Sequence, residues 1–348
     1  MRNLGRTVTQ DHPLGAGSLC GAALYVSAAA ASVMAGGPPG PPSPAPVVPD
    51  VYAVLYEHTG RRPAVRPAPH PRWWLGDWRA SWTAAEHAGA VSAVRAAIAR
   101  GDVYQVNVVG HASAPYRGDP LPALRRVAAL PGARYGGVLT GDGWALACAS
   151  PETLVEVRAG RVVTRPIKGT RPATPAGRRQ LLASAKERAE HVMIVDLERN
   201  DLSRLAGTGP VTVDELFAVR RWCGLWQAES VVSAPLTGPL DLAGLLRAVA
   251  PGGSVTGAPK RAALDQIARL EPVGRGVSMG VLGWVAPDYV DLGLTIRTVA
   301  ADGERLHVWA GGGITIDSDP AAEVAEAAAK AAPVRAALRG RDGPVTTG

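Results

Sequence analysis

The chain is poor in the residues and patterns that mark several protein classes. Its 348 residues include only three cysteines, Cys20, Cys148 and Cys223, which lie far apart and form no CxxC pair. This disfavours a disulfide framework and a thiolate metal site, and it fits a reducing cytoplasm. No run of five like charges occurs, although Lys and Arg outnumber Asp and Glu by 37 to 30. Scattered basic residues make nucleic acid a weaker explanation of this charge than small anionic substrates.

One apolar segment, residues 14–36, raises the question of a signal peptide or a membrane anchor. Glycine and serine interrupt it, and the residues before it are only weakly basic. We therefore predict a buried helix at this place and no association with a membrane.

The composition of the chain changes twice along its length. Residues 1–82 predict a reduced, poorly organised N-terminal region with a Pro/Gly-rich linker at 36–49. Residues 83–338 predict one dense catalytic domain, which opens with a capping box at Thr83 and a helix that Gly101 ends. Residues 339–348 are predicted to be a disordered tail.

Hydrophobic periods predict the class of the fold. Helical periods occupy 83–100, 175–205, 240–249, 258–270 and 320–338, with strand-like runs between them. Strands and helices come in clusters rather than in strict alternation. This predicts an α+β fold with large antiparallel sheets.

Two helical segments each carry a pair of glutamates three residues apart. Glu187 and Glu190 lie in KERAEH, and Glu323 and Glu326 lie in EVAEAAAK. This spacing puts both carboxylates of a pair on one helix face. If the two helices face each other, their oxygens suit a hard cation such as Mg²⁺. Two solvated helix faces would produce the same spacing, and spacing alone favours that reading.

Two glycine-rich segments offer backbone N–H groups to an anion. They are Gly311, Gly312 and Gly313 after a strand, and PGGSVTGAPK, which ends at Lys260 before a helix. Neither matches a nucleotide-binding fingerprint. Glycines that only turn the chain would look the same.

Lys168 in TRPIKGTRP lies at the end of a strand between Arg165 and Arg171. Neighbouring cations lower the pKa of an amine, which would make Lys168 a nucleophile near neutral pH. A solvated lysine in a turn is the alternative. Glu152 begins the adjoining strand of the predicted hairpin, so the acid and the amine could line one cavity.

Six motifs follow one another along the chain in a fixed order. They are SPE at 150–152, RPIKGTRP at 165–172, KERAEHVMIVDLERNDLSR at 186–204, PGGSVTGAPK at 251–260, IRT at 296–298 and AGGGITIDSDPAAEVAEAAAKA at 310–331. This order resembles the chorismate-binding enzymes, which include the large subunits of anthranilate synthase and aminodeoxychorismate synthase, isochorismate synthase and salicylate synthase. The resemblance runs from about Thr83 to Leu338 and implies a β-sandwich flanked by helices.

The resemblance also implies roles for particular residues. Glu190 and Glu326 look like Mg²⁺ ligands that hold the ring carboxylate of chorismate, with Glu187 and Glu323 beside them. Glu152 resembles the general acid/base that assists loss of the ring hydroxyl, a role that requires a raised pKa. The residues expected to bind the rest of the substrate are Arg297, Thr256, Gly257, Gly311, Gly312, Gly313, Gln105 and Lys260.

Two positions distinguish the members that this chain resembles. Members that add water carry a lysine where this chain has Gln105, so the resemblance implies amination. Anthranilate synthases carry alanine where Lys168 stands, whereas aminodeoxychorismate synthases carry a lysine that is thought to attack the ring. The chain therefore resembles the aminodeoxychorismate synthases most. None of its cysteines lies in a glutaminase elbow, so ammonia is expected from a glutamine amidotransferase subunit or from solution.

The chain departs from the family pattern at two places. Members of the family usually carry a histidine shortly before a strand that contains VS, and this chain has Glu229 or Ser230 near that position. A tyrosine common in the family is replaced by Ser278. Loss of the histidine disfavours anthranilate as the product. Three alternatives stay open: anthranilate synthase, an aminating enzyme of secondary metabolism, and a non-catalytic binding subunit with the same fold.

Overall fold

A computed structural model describes residues 18–58, 73–206, 209–222 and 224–339. Its strands are β1 (Leu19–Val26), β2 (Val51–Glu57), β3 (Trp74–Leu75), β4 (Arg79–Ala80), β5 (Gln105–Arg117), β6 (Tyr135–Gly141), β7 (Trp144–Ser150), β8 (Thr153–Arg158), β9 (Arg161–Arg165), β10 (Ile167–Pro172), β11 (Thr212–Trp222), β12 (Leu225–Pro235), β13 (Gly257–Ala258), β14 (Val281–Ala286), β15 (Tyr289–Leu294), β16 (Thr298–Ala301) and β17 (Arg305–Ile314). Its helices are α1 (Ala28–Met34), α2 (Ala84–Arg100), α3 (Leu121–Ala128), α4 (Pro175–Ala183), α5 (Ala185–Ala206), α6 (Leu242–Val249), α7 (Lys260–Leu270) and α8 (Pro320–Arg339).

The strands form two antiparallel sheets. The larger sheet has the order β10-β12-β9-β8-β15-β14-β1-β2, with β11 paired to β12. The smaller has the order β13-β5-β17-β16-β7-β6, with β3 and β4 paired to β5. One hydrophobic core contains residues of both sheets, so the sheets pack face to face. The predicted α+β fold with large antiparallel sheets is confirmed.

Alternation along β7 shows how the smaller sheet divides two cores. Leu146 and Cys148 face the core between the sheets. Ala145 and Ala147 face the other way, into a core that contains residues of α3 and α8. Because side chains alternate along a strand, one apolar run serves both layers.

Local capping explains where two helices begin. The Thr83 side chain accepts from Glu86 N and the Glu86 side chain accepts from Thr83 N, so the predicted capping box starts α2. The helix predicted over 175–205 is instead two helices. Ser184 adopts an extended conformation at the end of α4, and its hydroxyl accepts the Glu187 N–H at 3.2 Å, which starts α5. The new start places Glu187 and Glu190 in the first turns of α5.

The N-terminal region differs from its prediction. The buried helix expected over 14–36 is wrong, because residues 19–26 form β1 and only 28–34 form a helix. Strand β1 pairs with β14 on one side and with β2 on the other. Strands β1 and β2 of this region are thus part of the larger sheet, since an apolar strand gains burial and backbone pairing together. The predicted tail, apart from residue 339, lies outside the described residues.

In the described ranges, no helix is both long and apolar enough to span a membrane.

The integration of β1 into the sheet can be tested by burying a charge in it. Ala23 is fully buried, whereas Leu19 at the start of the same strand is 52% exposed. We expect Ala23→Asp to lower the free energy of unfolding by about 3 kcal/mol or more, because the carboxylate would have no partner. Leu19→Asp should change it by less than about 0.5 kcal/mol. Urea unfolding of both variants measures this, and equal stabilities would contradict the placement of β1.

Candidate active site

A cleft of about 900 Å³ opens between the ends of the two sheets and the helices α5 and α8. The predicted residues that line it are Glu152, Lys168, Glu187, Glu190, Arg297, Gly311, Gly313, Glu323 and Glu326. These residues come from segments that are as much as 174 positions apart, between 152 and 326. The tertiary structure therefore brings all six motifs to one cavity. Five contribute the residues just named, and the sixth, PGGSVTGAPK, contributes residues 254 and 255.

Ser254 joins the predicted amine to the predicted acid. The Ser254 hydroxyl donates to Glu152 Oε1 at 2.5 Å, and Lys168 Nζ donates to the Ser254 carbonyl at 3.1 Å. Glu152 Oε1 also accepts the Ile167 N–H at 3.2 Å. Glu152 and Lys168 are only 3% and 8% exposed. One residue of the PGGS turn thus orients both buried side chains.

Burial changes the ionisation of both groups. It raises the pKa of Glu152 to about 7, even though hydrogen bonds from Ser254 and Ile167 oppose the change. Burial is also the main reason why the pKa of Lys168 is lowered, and Lys330 adds to the effect. The sequence prediction named Arg165 and Arg171 as the cause, and this is wrong because loss of hydration dominates. Glu190 and Glu152 act in the opposite direction on Lys168.

The four glutamates of the two helical pairs all face the cleft. Each has a basic partner in this structure. Arg171 lies 3.0 Å from Glu187, Lys330 lies 2.6 Å from Glu326, and Lys186 approaches both Glu190 and Glu323. The alternative of two solvated, unrelated helix faces is therefore excluded.

The donor set suits a hard divalent cation. Burial first, and then the adjacent carboxylates Glu187 and Glu323, raise the pKa of Glu190. A bound cation would relieve this crowding of like charges, and carboxylate oxygens are the donors that Mg²⁺ prefers. Within the described residues, no three acidic, His or Cys side chains are already drawn together into a metal cluster. A cation bound here would compete with these basic partners for the carboxylate oxygens.

The three glycines lie inside β17 rather than in a loop after a strand. They pair with Val109, Val108 and Asn107 of β5. A Cβ atom on Gly313 would lie 2.7 Å from both Lys168 Nζ and Gln105 Nε2, and one on Gly312 would lie 2.9 Å from Glu323 Oε2. The absence of side chains here makes room for the reactive groups of the cleft.

Two buried amides beside the cleft have unused hydrogen-bonding atoms. Gln105 is fully buried, and neither polar atom of its side chain has a hydrogen-bond partner among the described residues. The oxygen of the Asn107 amide is likewise without a partner, while Asn107 lines the cleft. Buried polar atoms are normally hydrogen-bonded, so these atoms are suited to a bound ligand.

Arg297 enters the cleft wall from a strained position. Its backbone φ of 54° lies in the left-handed region, which is uncommon for a side chain of this size. Its guanidinium donates to the Lys330 carbonyl at 2.7 Å and stacks on Trp222 with 4.4 Å to the ring centre. Strain held by the surrounding contacts is typical of functional sites.

Five predicted substrate-binding residues are absent from the cleft wall: Gln105 and Gly312, which lie beside it, and Thr256, Gly257 and Lys260. The Thr256 hydroxyl donates to the Gly252 carbonyl at 2.8 Å and faces a second, smaller cavity. Gly257, in β13, pairs with Val106 of β5. Lys260 forms an ion pair of 2.6 Å with Asp201. Residues 254 and 255 of the same motif line the cleft instead, because the turn at 253–255 directs this part of the loop inward.

Several residues of the cleft were missed from the sequence. They are Asn107, Lys186, Gln227, Ser254 and Lys330. Lys330 stands four residues after Glu326, a spacing that predicts a contact along one helix face. Glu229 and Ser230, near which the family histidine is expected, are not among the described residues that line the cleft. In fact Glu229 pairs with Arg220 at 2.6 Å, and the Ser230 hydroxyl accepts the Phe217 N–H at 2.9 Å.

A buried amine, a buried acid and an acidic cluster in one cleft are typical of a catalytic site. Residues 48–336 match the chorismate binding enzyme family. The chain belongs to this family. The matched region begins at residue 48, whereas the sequence motifs placed the start of the resemblance at about Thr83. Strands β2, β3 and β4 lie in the added part, and they pair with strands of the two sheets.

Relatives and solved structures agree with this assignment. The chain is 42% identical over 256 residues to aminodeoxychorismate synthase component 1 of Klebsiella aerogenes, covering 72% of this chain and 57% of that protein. It is 41% identical over 271 residues to anthranilate synthase component 1 of Streptomyces coelicolor, covering 75% and 53%. The crystal structure of anthranilate synthase component I from Streptococcus pneumoniae superposes with a TM-score of 0.80 at 28% identity, covering 94% and 82%. The matched regions span little more than half the length of these two curated relatives.

Adding a methyl group at Gly313 tests how closely the cleft is packed. We expect Gly313→Ala to slow chorismate consumption about tenfold or more, because its Cβ would displace Lys168 and Gln105. Gly89→Ala in α2 is the control, since nothing lies within 4 Å of its Cβ. The control should retain full activity and gain about 0.5 kcal/mol of stability. Equal activity of the two variants would show that Gly313 is not needed for space.

Proposed function

We propose that this chain aminates chorismate to 4-amino-4-deoxychorismate, the reaction named for its relatives the aminodeoxychorismate synthases. The observation that carries the proposal is the buried Lys168 amine, which shares the cleft with Glu152 and the four glutamates. A lysine that is buried with its pKa lowered is suited to nucleophilic attack. A pure binding module has no need of such an amine.

In the proposed reaction Lys168 and Glu152 act together. The neutral Lys168 amine forms a bond to the substrate ring while the bond to the ring hydroxyl breaks. Glu152, protonated near neutral pH because its pKa is about 7, gives its proton to the departing oxygen, which leaves as water. Ammonia then bonds to the ring, Lys168 departs as the free amine, and the new ammonium group returns a proton to Glu152. The net change replaces a hydroxyl by an amino group and keeps the enolpyruvyl group.

Substrate and cation binding are assigned to the remaining residues. Mg²⁺, held by Glu190 and Glu326 with Glu187 and Glu323 beside them, would bind the ring carboxylate of the substrate. Arg297 and the β17 glycines would face the enolpyruvyl carboxylate, for which a guanidinium is well suited. Gln105, a neutral amide with unused hydrogen-bonding atoms, would orient ammonia or substrate rather than activate water. Ammonia would come from a glutamine amidotransferase subunit or from solution.

Anthranilate synthesis is the second candidate. The relative named anthranilate synthase component 1 is as similar as the one named aminodeoxychorismate synthase, at 41% against 42% identity. Lys168 favours amination through a covalent intermediate. Loss of the family histidine near Glu229 or Ser230 also favours it, because the resemblance ties that histidine to pyruvate loss.

Product analysis separates the two candidates. The protein is incubated with chorismate, MgCl₂ and an ammonium salt, and the products are followed by mass spectrometry. We expect aminodeoxychorismate from the wild type and a loss of about 10³-fold or more in Lys168→Met, because the nucleophile is removed while the buried volume is kept. Anthranilate from the wild type would overturn the proposal. A fully active Lys168→Met would remove Lys168 from the mechanism.

The pH dependence tests the proposed ionisation states. Attack requires neutral Lys168, so the rate should fall as pH decreases and the amine is protonated. Proton donation requires protonated Glu152, so kcat/KM should fall again as pH rises through about 7. We therefore expect a bell-shaped pH profile. The alkaline limb should disappear in Glu152→Gln, which cannot lose a proton. A wild-type profile that keeps rising through pH 8 would contradict the role of Glu152.

A further inference from the structure

The two acidic pairs of the cleft are bridged by a lysine that the proposed function does not use. Lys186 Nζ lies 3.7 Å from Glu190 Oε1 of its own helix and 4.0 Å from Glu323 Oε1 of α8. Among the ion pairs of the described residues, those of Lys186 alone reach a carboxylate of each helix. Its charge therefore lies between the two carboxylate pairs, where a divalent cation would also be attracted.

The other two cations of the cluster are held more firmly. Arg171 donates to the Thr170 carbonyl at 2.8 Å as well as pairing with Glu187. Lys330 donates to the Gly311 carbonyl at 2.9 Å as well as pairing with Glu326. The contacts of Lys186 are longer than hydrogen bonds, and its side chain is 41% exposed. Lys186 can therefore turn into solvent without burying or stranding a polar group.

The carboxylates that Lys186 approaches stay in place without it. Glu190 Oε1 accepts the Thr315 hydroxyl at 3.3 Å, and Glu323 Oε1 accepts the Ser318 hydroxyl at 2.7 Å. Both hydroxyls belong to the turn that follows β17. When the lysine leaves, the two oxygens remain oriented toward the cleft.

We propose that Lys186 is an internal counter-ion that holds the two acidic pairs together in the metal-free protein and is displaced when Mg²⁺ binds. This inference rests on the proposed function for the presence of the metal. The lysine lowers repulsion in the empty cleft and, for the same reason, competes with the cation for the carboxylates.

Direct metal binding tests the proposal without any activity measurement. EDTA-treated, dialysed protein is titrated with MgCl₂ in a calorimeter. We expect Lys186→Met to lower the dissociation constant of Mg²⁺ about fivefold, a modest change because the amine is partly solvated. Lys186→Arg, which keeps the charge, should stay within about twofold of the wild type. Arg199→Met is the matched control on the same helix, because Arg199 pairs with the exposed Asp196 at 3.0 Å.

Thermal unfolding provides a second readout. In EDTA the Lys186→Met protein should melt below the wild type, and MgCl₂ should raise its melting temperature more than that of the wild type or of Arg199→Met. Unchanged or weaker Mg²⁺ binding by Lys186→Met, or a wild type that does not bind Mg²⁺, would overturn the inference. If the metal results hold but no aminodeoxychorismate is formed, the role of Lys186 stands and the proposed function fails.

Discussion

The cleft depends on burying an amine and a carboxyl together and on linking them through one serine. Lys168 and Glu152 both lose hydration, which shifts their pKa values toward each other. Ser254 keeps them oriented, with its hydroxyl on the acid and its carbonyl on the amine. Both side chains are nearly inaccessible, at 3% and 8% exposure, although they lie in the wall of the cleft.

The architecture supplies this environment from distant parts of the chain. Strand β10 presents Lys168 at one edge of the larger sheet, and β17 of the smaller sheet passes beside it with glycines where side chains would collide. Helices α5 and α8 then close the cleft with their acidic first turns. Their carboxylates are already balanced by Arg171, Lys186 and Lys330. The charge of the site is therefore compensated inside the protein before any ligand arrives.

Helices and strands were predicted correctly where hydrogen bonds between neighbouring residues decide them, and less well where pairing with distant segments decides them. The start of α2 follows from the hydrogen bonds of Thr83 and Glu86, which involve only neighbouring residues. The helix expected over 14–36 fails because small apolar residues suit a helix and a buried strand equally well. Pairing of β1 with β14, more than 250 residues away in the chain, decides for the strand. Ser184 likewise breaks one predicted helix into two through a single capping bond.

The sequence by itself determined the family, the glutamate pairs, and the choice of Lys168 and Glu152 as the residues of interest. Those depend on residue types and on spacings within single segments. Only the tertiary structure decided that Ser254 connects the acid and the amine, that Lys186 and Lys330 neutralise the cluster, and that Thr256, Gly257 and Lys260 lie away from the cleft wall. Contacts of this kind join segments far apart in the chain, and burial, which sets the pKa of Lys168, is a property of the whole fold.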